Sequence, residues 1–256
     1  MAVRLSAALA VVLAVGLLAN APASLAQSSR TSKPAVVRGN VWYFRTTNTT
    51  GNADFSFAYG DFGDRPVFGD WNGDGPESVG VVRRGTWYLR FFNEAGPADL
   101  TFTYGNANDL PVVGRWAPGN TADTVGVVRA NSWFLRSSNT TGTADIAFTY
   151  GDVGDARFVG DWDGDGVDTP GVRRGNTWYL RNSNSTGVAD VVLDYGSPSD
   201  LPIVGDWNGD GTETVGVARD NVRFLRNSNT TGVADIGPIF YGSPGDIALV
   251  WRSPAG

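Results

Sequence analysis

The chain reads as an all-β protein, a five-bladed β-propeller of four-stranded antiparallel blades, on three observations. The segment Gly69-Asp70-Trp71-Asn72-Gly73-Asp74-Gly75 returns as Gly160 to Gly166 and again as Gly205 to Gly211. With a weaker copy around Trp116, the signature tryptophans Trp71, Trp116, Trp162 and Trp207 lie 45, 46 and 45 residues apart. A fixed period in this range marks one supersecondary unit written repeatedly, as in propellers and solenoids. No segment beyond the N-terminus shows helical periodicity.

Taken in order, the first residues read as an export signal: Arg4, then an uncharged apolar run from Leu5 to Leu18, then small residues. Cleavage after Ala26 or after Ala23 fits the pattern. The run is short for a bilayer span of about 20 residues. Residues 1–26 are therefore assigned to the signal, 27–35 to a polar tether carrying the sole lysine, Lys33, and 36–256 to a single propeller domain that is secreted.

Each repeat then carries four blocks. The first is apolar and ends at the Gly-Asp-Trp signature, as in Pro111 to Gly114. The second is Gly80 to Arg83, matched by Gly126 to Arg129 and Gly216 to Arg219. The third is Thr86-Trp87-Tyr88-Leu89-Arg90, with counterparts ending at Arg45, Arg136, Arg181 and Arg226. The fourth is Ala98 to Gly105, with counterparts starting at Ala53, Ala144, Ala189 and Ala234. Aromatic and β-branched residues fill the blocks, and Gly, Asn, Asp and Pro separate them. Tight turns such as Arg38-Gly39-Asn40 and Asp220-Asn221 join the second and third blocks, where positive φ is cheap. Four antiparallel strands in about 45 residues describe one propeller blade.

Blocks two to four occur five times, beginning near Ala35. Complete first blocks occur four times, and a fifth, Asp246 to Trp251, ends the chain. The C-terminal strand is thus expected to complete the N-terminal blade, which removes the open edge of the array.

Composition excludes several functions. There is no cysteine and no histidine, so disulfides, Ser-His-Asp and Cys-His chemistry are absent and zinc is disfavoured. The formal charge of −6 argues against nucleic-acid or anionic-membrane partners.

The signature loops place oxygen side chains at alternate positions: Asp70, Asn72 and Asp74; Asp161, Asp163 and Asp165; Asp206, Asn208 and Asp210. A further acid follows at position eight, Glu77, Asp168 or Glu213, with Ser78, Thr169 or Thr214 at position nine. Hard calcium takes six to eight oxygens from a tight turn, with glycine where the loop bends. Good hairpin turns alone would explain Gly75, Gly166 and Gly211 but not the alternation of acids. Up to three Ca2+ sites are expected. The weak copy, Arg115-Trp116-Ala117-Pro118-Gly119-Asn120, replaces ligands, is one residue longer and is expected to bind no ion, a basic side chain standing in its place.

The signature loop, the Gly-Val-x-Arg block and the Trp-Tyr-Leu-Arg block together resemble bacterial FG-GAP/VCBS-type repeats, related to the propeller of integrin α chains. That resemblance implies calcium in the loop joining the first two strands of a blade. Two departures stand out: the integrin propeller has seven blades, and the family's last acid often falls at position nine rather than eight.

Other repeated residues read structurally. Trp42, Trp87, Trp133 and Trp178 are expected to fill space between blades, with sugar stacking as the sharper alternative; Arg223 takes this place in the fifth copy. Arg45, Arg90, Arg136, Arg181 and Arg226 recur with Asp54, Asp99, Asp145, Asp190 and Asp235 and with turn acids Asp64, Asp109, Asp155, Asp200 and Asp246, suggesting one buried bidentate pair per blade. Asn48, Asn139, Asn184 and Asn229 lie in Asn-x-Thr sequons but read as turn residues. The leading function is a secreted, monomeric, non-catalytic, calcium-stabilised propeller that presents a face to glycan or extracellular protein. The alternatives are an extracellular carbohydrate-active hydrolase and a purely structural accessory domain. Glu94 and Asp194 are the best non-repeated acids for a hydrolase, which needs two carboxylates a few ångströms apart.

Overall fold

A computed structural model of the protein describes residues 31–253. The described residues form twenty strands and no helix. Blade one joins β1 (Ser32–Arg38), β2 (Val41–Phe44) and β3 (Phe55–Ala58) to β20 (Ile247–Arg252). Blade two contains β4 (Arg65–Gly69), β5 (Ser78–Arg83), β6 (Thr86–Leu89) and β7 (Leu100–Thr103); blade three contains β8 (Leu110–Gly114), β9 (Thr124–Arg129), β10 (Ser132–Leu135) and β11 (Ile146–Thr149). Blade four contains β12 (Ala156–Gly160), β13 (Thr169–Arg174), β14 (Thr177–Leu180) and β15 (Val191–Asp194); blade five contains β16 (Leu201–Gly205), β17 (Thr214–Arg219), β18 (Val222–Leu225) and β19 (Ile236–Phe240). The first strands β4, β8, β12, β16 and β20 adjoin one another in a closed circuit around the axis. The fold is the five-bladed β-propeller.

Closure runs as the strand count predicts. β20 pairs antiparallel with β1, from Ser32 opposite Arg252 to Val37 opposite Ile247. That register corrects the tether: residues 32–35 are the first half of β1, because Arg252, Trp251, Val250 and Leu249 need partners as far out as Ser32. The signal at 1–26 and tether residues 27–30 lie outside the described residues.

Burial follows from the block chemistry. Second strands such as β5 are buried nearly throughout, whereas third strands such as β6 alternate, which sends Trp87 and Leu89 inward. The turns between second and third strands are tight enough to hold Arg84, Ala130 and Asp220 at φ of 51°, 54° and 52°. Trp42, Trp87, Trp133 and Trp178 have no exposed surface. Each donates its indole N–H to the carbonyl seventeen residues on, Tyr59, Tyr104, Tyr150 and Tyr195, at 3.0–3.1 Å. In blade five Arg223 makes the same bond to the Tyr241 carbonyl at 2.6 Å and lies over the Tyr241 ring. The arginine thus replaces the donor as well as the volume.

The glycine before each signature acid is a matter of space. A Cβ on Gly160 would meet the Trp162 ring at 2.6 Å. In blade one the register puts Trp251 in the glycine's place, since Gly69 pairs with Ser78 as Trp251 pairs with Lys33. Ser253 then stands where the other blades have a signature tryptophan, so the space falls to Trp251, which packs on Phe44 with centroids 5.1 Å apart.

Candidate metal loops and inter-blade clefts

The signature loops connect the first and second strands of blades two, four and five. In the Asp161 loop, positive φ at Gly164 and Gly166 (77° and 85°) curls the backbone around the first carboxylate. Asp161 Oδ1 accepts the N–H groups of Gly164 and Asp165 at 2.7 and 3.1 Å, and Oδ2 that of Gly166 at 2.8 Å. Asp161, Asp163 and Asp165 each bring an oxygen within 4.8 Å of the other two. Burial pushes the Asp161 carboxyl up to about 6, against the opposing pull of the Gly166 and Gly164 N–H bonds. This crowding of anionic oxygens in one turn suits a hard divalent cation.

Asp206 repeats the pattern, accepting from Gly209, Asp210 and Gly211 at 2.6, 3.2 and 3.0 Å. Here, and in the Asp70 loop, position three is asparagine. Asn208 donates from Nδ2 to Asp210 at 2.8 Å and Asn72 to Asp74 at 3.0 Å, so in these loops a nitrogen faces the position-five carboxylate. The asparagine oxygen accepts the N–H of Asp210 or Asp74 at 3.2 and 3.3 Å.

The position-eight acids go elsewhere. Glu77, Asp168 and Glu213 do not complete their own loops but reach the neighbouring blade. Glu213 accepts the Asp161 N–H at 2.9 Å while its own N–H returns to the Asp161 carbonyl at 2.8 Å. Asp168 does the same with Arg115 at 2.7 Å each way, and Glu77 with Arg252 at 2.8 and 3.1 Å. Asp123 clasps Asp70, and Ser32 clasps Asp206 through its hydroxyl at 3.0 Å, so the clasp recurs at all five interfaces. The position-nine hydroxyls are equally committed: Ser78 donates to the Arg90 carbonyl at 2.6 Å and Thr214 to the Arg226 carbonyl at 2.7 Å. Glu77, Asp123, Asp168 and Glu213, with Arg252, line a central cavity of about 170 Å³. Burial and the charges of Glu213 and Asp123 hold the Asp168 carboxyl well above the usual carboxylate range. A sequence shows that acids are near one another along the chain; it does not show that the last acid of each loop serves the preceding blade.

A second kind of site lies between blades. A cleft of about 520 Å³ between blades three and four is walled by Tyr150, Asp152, Arg174, Tyr179, Val188 and Val192. A cleft of about 430 Å³ between blades five and one uses the equivalent Tyr241, Ser243, Arg38, Tyr43, Asn52 and Ser56. In each, an arginine lies over an aromatic ring, Arg174 on Tyr179 at 5.6 Å and Arg38 on Tyr43 at 5.3 Å. Each arginine is also locked by a turn aspartate through two bonds: Arg174 to Asp155 at 2.8 and 2.9 Å, Arg38 to Asp246 at 2.7 and 2.9 Å. In the second cleft this balances the arginine charge, whereas in the first Asp152 also meets Arg174 at 2.5 Å and leaves one carboxylate in excess. The first cleft adds an apolar wall, because Val192 pairs across from Tyr179 and Val188 is 82% exposed.

The expected single arginine–aspartate pair per blade proves to be two. The turn acids take Arg38, Arg83, Arg129, Arg174 and Arg219. Arg45, Arg90, Arg136, Arg181 and Arg226 instead brace the loop between third and fourth strands, 2.8–3.8 Å from Asp54, Asp99, Asp145, Asp190 and Asp235. The sequon asparagines Asn48, Asn139, Asn184 and Asn229 each donate to the carbonyl of the position-eight residue of their own blade at 2.9 Å, and Asn93, outside any sequon, does so at 2.8 Å. The four repeated tryptophans, fully enclosed, have no face for a sugar. Glu94 is held by Arg90 at 3.1 Å and Asp194 by the Thr177 hydroxyl at 2.6 Å, in different blades.

No family model matches this chain, and no curated protein does. Among solved structures, one of an Agrocybe aegerita lectin, described as recognising non-reducing terminal N-acetylglucosamine, is similar at 14% identity and a TM-score of 0.49. The match covers 77% of this chain and 59% of the lectin chain, so this protein spans less than two thirds of that one.

Proposed function

We propose that this protein is an exported, non-catalytic propeller of the FG-GAP/VCBS-like repeat type that binds glycan or extracellular protein and is stabilised by calcium in its signature loops. The observation that carries the binding reading is the recurrence of one cleft framework at two inter-blade interfaces, each with a stacked arginine whose charge a turn aspartate balances. A polar ligand with an apolar face suits such walls better than an anion does. For calcium, the donor set of Asp161, Asp163 and Asp165 fits a hard cation; bound there, it would neutralise carboxylates that otherwise repel one another. The Asp161 peptide also belongs to the inter-blade clasp, so ordering that loop reinforces a blade junction.

Two measurements test this reading. On a glycan array, the wild-type protein is expected to retain specific glycans, and Val188→Asp is expected to lose them with an unchanged melting temperature, because that side chain is 82% exposed. Binding to no glycan, or binding that Val188→Asp leaves intact, sinks the cleft assignment. Saturating one loop a hundredfold above its dissociation constant adds about 2.7 kcal/mol. Chelation should therefore lower the melting temperature visibly; an identical curve with and without chelator rules out calcium stabilisation.

A further inference from the structure

The three signature loops are alike in sequence and unlike in wiring. Asp161 and Asp206 each accept three backbone N–H groups from their own loop. Asp70 accepts one, from Gly75 at 2.8 Å, and its Oδ1 has no hydrogen-bond partner although the residue is only 1% exposed. A cation from another blade stands beside it. Arg115 Nη2 lies 3.7 Å from Asp70 Oδ2, and Arg115 Nε lies 3.2 Å from Asp123 Oδ1. Asp123 Oδ2 in turn accepts the Asp70 N–H at 2.7 Å. All three side chains are buried.

Arg115 occupies position one of the degenerate copy in blade three, and the packing of blade three on blade two brings it against the Asp70 loop. Such contact is not automatic for an arginine at this ring position. Arg252, its counterpart in blade one, turns to Glu77 and Glu213 at 2.9 and 3.5 Å and forms no ion pair with Asp206. A guanidinium held by two buried carboxylates cannot swing away without leaving both uncompensated. A divalent ion entering the Asp70 loop would meet that fixed charge at short range, where solvent screens it poorly.

We infer that Arg115 is the resident counter-charge of the Asp70 loop: the native protein takes calcium at the Asp161 and Asp206 loops only, and the Asp70 loop becomes a third calcium site when the Arg115 charge is removed. The inference rests on the calcium reading above and narrows its three loops to two. It also gives Arg115 a role in the neighbouring loop as well as in its own.

The test is calcium stoichiometry of the mature protein, by titration calorimetry and native mass spectrometry with calcium chloride alone. Wild type is expected to take two ions, Asp161→Asn one, and Asp70→Asn still two. Arg115→Gln should take three, and Arg115→Lys, which keeps the charge, two. Three ions in wild type, or loss of an ion in Asp70→Asn, overturns the inference even if Arg115→Gln fails to fold. A folded Arg115→Gln that takes only two ions also overturns it. No calcium in wild type overturns the calcium reading itself, and this inference with it.

Discussion

Asn184 shows how much a single side chain does in this ring. It looks like a glycosylation acceptor, yet its amide donates to the carbonyls of Asp168 and Trp116 at 2.9 and 3.2 Å, tying a loop of blade four to the ends of two first-to-second-strand loops. Asn184→Asp places a carboxylate against two carbonyls and leaves them without a donor. It is expected to destabilise the fold by about 1–3 kcal/mol, the usual cost of unsatisfied buried acceptors. Chemical denaturation against Asn184→Ser, which keeps a hydroxyl donor, would measure it, and equal stability of Asn184→Asp and wild type would refute the role. Arg223 teaches the same lesson: the sequence shows a broken tryptophan pattern, and the structure shows the broken pattern preserving the donor that the Tyr241 carbonyl requires.

At the scale of the element, the turn from each fourth strand into the next first strand is set by an aspartate that its own blade's second strand grips. Hydrogen bonds from Arg129 and Arg219 hold the carboxyls of Asp109 and Asp200 below the usual carboxylate range, against the opposing effect of burial. A carboxyl held low in the folded state binds fewer protons there than in the unfolded chain. Its contribution is therefore complete above the ordinary range near pH 4 and is lost as pH falls through the lower, folded value. With this pairing repeated in every blade, the turns are expected to contribute in full above about pH 5 and to make the melting temperature fall steadily below about pH 4. Arg219→Gln should lower stability at neutral pH and make the acid slope shallower. A double-mutant comparison with Asp200→Asn measures the pair, and an acid slope unchanged in Arg219→Gln would show that the turns do not drive it. Sequence matching sets Arg45, Arg90, Arg136, Arg181 and Arg226 against the aspartates, whereas the arginines that grip the turn acids are Arg38, Arg83, Arg129, Arg174 and Arg219. Both sets repeat with the same period, so spacing alone cannot tell them apart.

For the whole molecule, the decisive junction is blade one, where residues from both ends of the described chain share a sheet. Trp251 is 2% exposed, packs against Phe44 and Phe68, and donates its indole N–H to the Arg45 carbonyl at 3.1 Å. Trp251→Ala is expected to cost about 3–5 kcal/mol. At roughly 2–4 °C per kcal/mol for a chain of this size, the melting temperature should drop by on the order of 10 °C. Calorimetry decides the matter: a drop of only a degree or two would mean that β20 contributes little to closure. Opening this junction would also expose the edge of β1, a template for pairing with another chain.

Blade number, strand order and the closing strand could be read from the sequence because each rests on local chemistry repeated along the chain. Apolar and aromatic blocks need a pleated sheet to bury them, and glycine-rich turns limit where the sheet can end. Counting blocks therefore counted strands, and the incomplete copies at the two ends matched. Tertiary structure decided what the repeats do across blade boundaries. Glu77, Asp168 and Glu213 are separated along the chain from the groups they bond. Ring closure by β20 brings Arg252 to Glu77, and the packing of each blade on the one before it makes Arg115 and Asp161 partners of Asp168 and Glu213. Arg115 stands against the Asp70 loop for the same reason. A period identifies equivalent residues but carries no direction around the ring, so it cannot say whether an acid serves its own loop or the preceding blade; only the geometry of the closed circuit does.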